Sequence, residues 1–179
     1  YIKNFGSYFD FLNEINELKD INLFLYRNNI LNGFLTAIEI TALSKSYKLP
    51  LFLSLFDENN LTLNNSVSFD NLGKFFKQFY IDKKYGVKDL NDNNNQNYLN
   101  WDEKRFLKLA KENPVKYCVT GELKEYFTKT KTHFCFSDDM IFELTKLTND
   151  ELLSFSNEFL LRINFRLFDY FSRRINLNN

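Results

Sequence analysis

Proline and glycine are scarce in this chain, with 2 and 5 residues among 179. Barrels and sandwiches need many tight turns built from these residues, so such folds are disfavoured. Two cysteines, Cys118 and Cys135, are too few for a disulfide framework, and we expect free thiols in a reducing, cytoplasmic setting. The longest nearly apolar stretch, residues 49–56, is far shorter than the roughly 20 residues of a membrane span. We therefore expect no membrane partner.

An excess of either charge is also missing, since 23 basic side chains balance 23 acidic ones. No global field draws the chain to nucleic acid or membranes. The scattered glycines form no phosphate-binding loop. His133 is the single histidine, and no nucleophile motif accompanies it. Together with Cys118 and Cys135 it offers three soft ligands without a second pair, so we expect neither a metal nor another cofactor.

Aromatic residues, in contrast, are abundant, with 21 Phe, 10 Tyr and 1 Trp. Such ring surface excludes wholesale disorder. Apolar residues recur at spacings of three and four in several segments, each with a polar residue placed to cap the first turn or a glycine near its start. These segments begin near Ser7, Leu31, Asp70, Asp102 and Ser137. The pattern predicts a mainly α fold.

The C-terminal segment has the strongest helical signal. Thr148 and Glu151 form a capping box, and neither glycine nor proline occurs from there to Ile175, which predicts a helix about 40 Å long. At 100° per residue its charged side chains fall in one narrow stripe and apolar ones cover most of the rest. The stripe consists of Glu158, Arg162, Arg166, Asp169 and Arg173. We expect an irregular bundle of six or seven helices around this helix, with only the charged stripe in water.

Shorter segments leave alternatives open. The helix from Leu31 is expected to run to Tyr47 and to stop before Pro50. Residues 51–56 fit a helical turn or a strand, and alternation over residues 61–69 allows at most one small β-hairpin. Three further expectations concern a β-prone segment, a short helix and a flexible, Asn-rich loop. They fall at residues 115–119, 122–127 and 91–97.

One short motif resembles a catalytic element. Residues 119–124, Val-Thr-Gly-Glu-Leu-Lys, are similar to the strand-borne (D/E)-x-K element of the PD-(D/E)xK nucleases. The resemblance implies that Glu122 holds a divalent metal and that Lys124 orients the attacking water. It covers six residues, and the family's preceding acidic residue has only Asp102, in a predicted helix, as its counterpart. The chain contains four such acid-x-lysine triplets, so a solvated turn is the alternative.

Charge is uneven along the chain. Residues 74–131 contain 13 basic and 8 acidic residues, whereas residues 132–160 contain 1 and 6. Rings lie among the basic residues, a composition suited to following phosphates while stacking bases. Ordinary solvated helix faces, with the rings in the core, are the alternative. The candidate nucleic-acid-binding residues are Lys74, Lys77, Lys83, Lys84, Lys88, Lys104, Arg105 and Lys108.

Three functional hypotheses follow. The first is a non-catalytic helical accessory or interaction domain, residues 1–179, within a larger intracellular protein that supplies the partner or recruits another one. The start at Tyr1 rather than Met and the lack of a complete catalytic constellation favour it. The second is a nucleic-acid-binding accessory domain of a helicase or restriction-type machine. The third is a metal-dependent nuclease. Enrichment in Asn, Lys, Phe, Ile and Tyr is typical of an AT-rich genome and favours none of them.

Overall fold

The computed structural model describes residues 2–83, 85, 89, 90, 95 and 97–175. They form a mainly α fold with small β elements and a long C-terminal helix, which confirms the predicted fold class. The α-helices of the described residues are α1 (Ile2–Phe5), α2 (Tyr8–Glu14), α3 (Asp20–Arg27), α4 (Asn29–Ile40), α5 (Lys48–Leu53), α6 (Phe69–Lys77), α7 (Glu103–Ala110), α8 (Lys116–Thr120), α9 (Asp138–Thr145) and α10 (Asn149–Ile175). Most of the predicted loop at 91–97 lies outside the described residues.

Short strands form two antiparallel sheets. The first is a hairpin of β1 (Phe56–Asp57) and β2 (Thr62–Leu63). The second has the order β3-β5-β4, with β3 (Ser66–Ser68), β4 (Phe127–Lys129) and β5 (His133–Phe136). The hairpin allowed over residues 61–69 is not formed, because residues 64–65 connect the two sheets instead. Strand β3 pairs with β5, which lies nearly 70 residues further along the chain, and local alternation cannot indicate such a distant partner.

Three segment predictions are wrong. Helix α4 ends at Ile40 instead of Tyr47, and Pro50 lies in the first turn of α5, where its missing N–H is not needed. Residues 115–119 are helical, because a π-helical turn, Lys111–Val115, accommodates Pro114 and lets the chain continue into α8. The helix expected over 122–127 is a series of turns that leads into β4.

Helix starts follow the sequence closely. Side-chain oxygens at Ser7, Ser68 and Ser137 each accept a hydrogen bond from a backbone N–H in the first turn of the helix that follows. The predicted capping box at α10 is present: the Thr148 N–H donates to Glu151 at 2.8 Å, and the Glu151 N–H donates to the Thr148 hydroxyl at 3.3 Å. These caps satisfy amides that have no partner within their own helix.

Aromatic rings dominate the core. Phe34 of α4 is fully buried and makes ring contacts with both the small sheet and α10, at centroid distances between 5.4 and 6.0 Å. Its partners are Tyr126, Phe127, Phe136, Phe155 and Phe159. Each favourable ring pair adds about 0.5–1.5 kcal/mol beyond its buried area. Among the described residues, no helix combines the length and apolar character that crossing a bilayer requires.

A buried polar cluster fixes the start of α5. The Asp89 carboxylate accepts hydrogen bonds from the Ser46 N–H at 3.0 Å, from the Ser46 hydroxyl and from the Tyr170 hydroxyl. The Ser46 hydroxyl also lies 3.0 Å from the Tyr80 hydroxyl. Burial, with the nearby Asp89 charge, holds the pKa of Tyr80 well above its usual value. Tyr80 lies in a π-helical turn, Gln78–Asp82, that continues α6, so these groups join the start of α5, the end of α6 and α10 inside the protein.

A second buried cluster surrounds Arg162 of α10. Its Nε donates to Glu39 of α4 at 2.6 Å, and one Nη donates to Glu158 at 2.5 Å. The side chains of Arg162 and Glu39 are 4% and 3% exposed. The Tyr8 N–H donates to the other Glu39 oxygen, and the Asn22 amide donates to Glu158, both at 2.9 Å. One guanidinium thus holds together α2, α3, α4 and α10.

The expectation that the charged stripe of α10 faces water is therefore wrong over the middle of the helix. Arg166 likewise points inward and donates to the carbonyl oxygens of Glu39 and Thr41 at the end of α4. Only Arg173, near the C-terminal end, is largely exposed. In the sequence, Glu158 lies four residues before Arg162, which fits a solvated ion pair. The second carboxylate, Glu39, and the amide of Asn22 come from other helices.

We predict that Arg162→Ala lowers the free energy of unfolding by about 3–5 kcal/mol, because it leaves the Glu39 carboxylate buried without its cation. Arg173→Ala is the matched control, since Arg173 lies on the same helix and also pairs with a carboxylate four residues earlier. It is exposed, so its loss should cost about 0.5 kcal/mol or less. Urea unfolding of both variants measures the difference. Equal losses would contradict the structural role of Arg162.

A second prediction concerns pH. Burial raises the pKa of Glu39, and the charge of Arg162 offsets this only in part. The folded state therefore keeps this proton to a higher pH than the unfolded chain, and the resulting stabilisation is lost as the pH rises through the folded pKa. Glu39→Gln cannot titrate. The free energy of unfolding of this variant minus that of the wild type should rise from about pH 4 to neutrality.

Glu151→Gln provides a control of opposite sign. Hydrogen bonds from Thr148 lower the pKa of Glu151, so its contribution is present above the unfolded pKa and is lost as the pH falls. The difference between this variant and the wild type should therefore fall as the pH rises. Denaturant unfolding at a series of pH values gives both curves, and slopes of the same sign would refute the assignment for Glu39.

Candidate interaction surface

The nuclease-like motif begins in the last two residues of α8 and continues into the turns before β4. Glu122 and Lys124 are exposed, and the Lys124 N–H donates to the carbonyl oxygen of Gly121 at 3.2 Å. The nuclease chemistry requires its acidic residue on a strand, and Glu122 is not on one. Within the described ranges, there is no group of three or more His, Cys, Asp or Glu side chains that could hold a metal ion. Glu122 instead borders a surface groove of about 620 Å³ beside α4.

The thiols and the histidine lie on two different elements, α8 and β5. Cys118 is fully buried in α8, and burial raises the pKa of its thiol to about 12, so it is a poor nucleophile at neutral pH. Cys135 lies on β5 as a free thiol. His133, on the same strand, has its Nδ1 2.9 Å from the Thr132 hydroxyl and borders a polar cavity of about 310 Å³. Three serines share this cavity, but the hydroxyl of one of them, Ser68, caps α6.

Five of the eight predicted nucleic-acid-binding residues lie on two neighbouring helices. A Cβ atom at Gly73 of α6 would come within 2.8 Å of a backbone oxygen of α7, so only glycine permits this close approach. Lys74 and Lys77 lie on α6, and Lys83 follows its π-helical turn. Lys104, Arg105 and Lys108 lie on α7. Lys84 and Lys88 lie outside the described residues.

Two of these cations and two of the nearby rings have other roles. Arg105 lies over the Trp101 ring, 4.9 Å from its centroid, and Lys108 is 3.7 Å from Glu112. Phe76 and Phe79 are buried in the core, as their helical spacing indicates, and so are not available to stack on bases. The structure therefore brings part of the basic set onto adjacent helices but does not place these two rings beside it at the surface.

A surface that the sequence reasoning did not identify lies on α10. The inward rotation of its charged stripe turns the opposite side outward, and large apolar side chains project from that side. Leu153, Leu161, Phe165 and Phe168 are 37%, 53%, 53% and 73% exposed. Asn157 and Asn164 are exposed between them. We call these six residues the outer face.

The outer face carries no charge. At 100° per residue its members span an arc of about 120°, and every charged residue from 151 to 173 lies outside that arc. Its length from Leu153 to Phe168 is about 22 Å. The four apolar side chains expose on the order of 400 Å², comparable to the largest apolar patches of monomeric proteins, which are often functional. The sequence showed that this helix has a charged arc and an uncharged one. It did not show which of the two faces water.

A recess lies at the C-terminal end of the outer face. It has a volume of about 320 Å³ and its lining is mostly aromatic and aliphatic. The residues around it are Tyr85, Asn164, Leu167, Phe168, Phe171 and Ser172. The rings of Tyr85 and Phe171 are stacked with centroids 4.6 Å apart, which gives this recess a firm wall.

No known protein family, no curated protein and no solved structure matches this chain.

We predict that Phe168→Ala changes the free energy of unfolding by about 0.5 kcal/mol or less at low protein concentration, because the ring contributes little to the core. Phe159→Ala is the matched control. Phe159 is on the same helix, fully buried and stacked on Phe34, so the same truncation should cost about 3–5 kcal/mol. Urea unfolding compares the two. A large loss at Phe168 would show that the outer face is covered within the chain.

Proposed function

We propose that this chain is a non-catalytic protein-interaction domain that binds its partner through the outer face of α10. The observation that carries the proposal is the row of four exposed apolar side chains on an uncharged arc of the longest helix. Covering exposed apolar surface of this extent is favourable in water, and apolar patches of this size are often functional.

The spacing of the outer face supports helical recognition. Its apolar residues follow one another at eight, four and three positions, which keeps them on one side over four turns. Interfaces in which a helix lies against another helix or in a groove use anchors at this spacing. Phenylalanine is among the residues enriched in interface cores, where charged residues are depleted.

The buried contacts of α10 support a pre-formed surface. Arg162 and Arg166 tie the inner side of the helix to α4, and Tyr170 ties it to Asp89. The outer face is therefore presented on a helix whose rotation is set before any partner arrives. A rigid surface loses less conformational entropy on binding than a flexible one, so more of the apolar burial contributes to affinity.

The remaining surfaces support a non-catalytic role. Burial raises the pKa of the Cys118 thiol, which makes it a poor nucleophile at neutral pH, and Glu122 lies in an exposed turn between α8 and β4. Two clusters of buried polar groups, around Arg162 and Asp89, join helices, and the outer face is apolar. An interaction domain needs a firmly held helix and an exposed apolar face, and neither property contributes to a chemical reaction.

The proposal predicts that a benzophenone-bearing phenylalanine at position 168 forms photo-crosslinks to protein in the cells that encode this chain. The same replacement of Phe142 is the control, since Phe142 is a 62% exposed phenylalanine on α9. Gel shifts and mass spectrometry should show a discrete crosslinked species for position 168 and little or none for position 142. Equal labelling at both positions, or none at 168, would argue against the outer face as the binding surface.

A further inference from the structure

We infer that the occupant of the outer face is a second copy of this chain, with the two α10 helices antiparallel about a two-fold axis close to Leu161. This inference rests on the proposed function. Three features of the outer face carry it: the absence of charge, the relation between its projecting residues and its recess, and the charges at the two ends of the helix.

The absence of charge removes the main obstacle to self-association. A two-fold interface brings identical patches together, so any charged residue near its centre meets a like charge. The outer face has none between Leu153 and Phe168. Asn157 and Asn164 are its only polar members, and asparagine can both donate and accept hydrogen bonds, so it can pair with another copy of itself.

The outer face also has complementary parts at matching distances from its middle. Leu153 projects eight residues before Leu161, and the residues of α10 that line the recess lie between three and eleven residues after it. A two-fold axis at Leu161 therefore places Leu153 of each copy over the recess of the other. A recess of about 320 Å³ has room for a leucine side chain. The same patch thus supplies both the projecting group and the space that receives it.

The ends of α10 favour the antiparallel direction. Its first turn contains Asp150 and Glu151, and its last described exposed side chain is Arg173. Antiparallel pairing brings the acidic end of one helix beside the basic end of the other, and it also pairs the helix dipoles favourably. Parallel pairing would place like charges together at both ends.

The area is adequate for a weak to moderate dimer. The apolar centre of the outer face offers on the order of 400 Å² per copy, about half of the roughly 800 Å² that each partner buries in a standard interface. The two asparagines between the apolar side chains add polar area to it. We therefore expect a dimer whose formation depends on protein concentration.

Cysteine crosslinking tests the geometry. In a Cys135→Ser background, in which the remaining Cys118 is fully buried, Leu161→Cys should give a disulfide-linked dimer on mild oxidation, because the two copies meet at the axis. Leu153→Cys alone should not, since the two thiols would lie about 24 Å apart along the helices. A mixture of Leu153→Cys and Phe168→Cys chains should give a mixed dimer. A strong Leu153→Cys link to itself would overturn the antiparallel arrangement.

Sedimentation velocity across a concentration series tests association itself. The wild type should show a monomer–dimer equilibrium, and Phe165→Glu should weaken it at least about tenfold, because two carboxylates would then face the interface. Phe142→Glu, on α9, is the control and should leave it unchanged.

The two proposals fail in different ways. If the chain stays monomeric at every concentration and Leu161→Cys gives no disulfide-linked dimer, a second copy does not occupy the outer face. If benzophenone at position 168 still captures another protein, the interaction surface stands with a different partner. If it captures nothing, both proposals fail.

Discussion

The burial of Arg162 between two carboxylates is the constraint on which the rest of this structure depends. Its guanidinium bonds Glu39 and Glu158, and those carboxylates in turn accept hydrogen bonds from α2 and α3. Taking these charges out of water costs several kcal/mol per ion, and only good geometry with satisfied hydrogen bonds offsets that cost. The cluster therefore tolerates one arrangement of four helices and little else.

The rotation of α10 follows from that constraint. A long helix with one charged stripe would ordinarily turn the stripe outward, but here Arg162 and Arg166 are held inside by α4. The opposite side must then face water, and it carries leucine and phenylalanine. The exposed apolar surface is thus a consequence of the buried charge: the same contacts that stabilise the fold present the outer face and keep its orientation fixed.

The aromatic core explains how small sheets coexist with a helical fold. Phe34 contacts rings from β4, β5 and α10, so the three-stranded sheet lies directly on the core. Strand β3 joins this sheet through pairing with β5, far along the chain, and the buried Asp89 cluster connects α6 and α10 on another side. Long-range ring and hydrogen-bond contacts, more than local propensity, hold the short elements in place.

Local signals determined much of this protein. The caps at Ser7, Ser137 and Thr148 and the uninterrupted run to Ile175 were sufficient to predict helix starts and the long final helix, because those interactions lie within a few residues. Tertiary structure alone decided the pairing of β3 with β5, the helical path through Pro114 and the inward rotation of Arg162, since their partners are distant in sequence. The outer face belongs to this second group: helical spacing placed its residues on one side, but only contacts with distant residues decided that this side faces water, among them the bond from Arg162 to Glu39, 123 residues away.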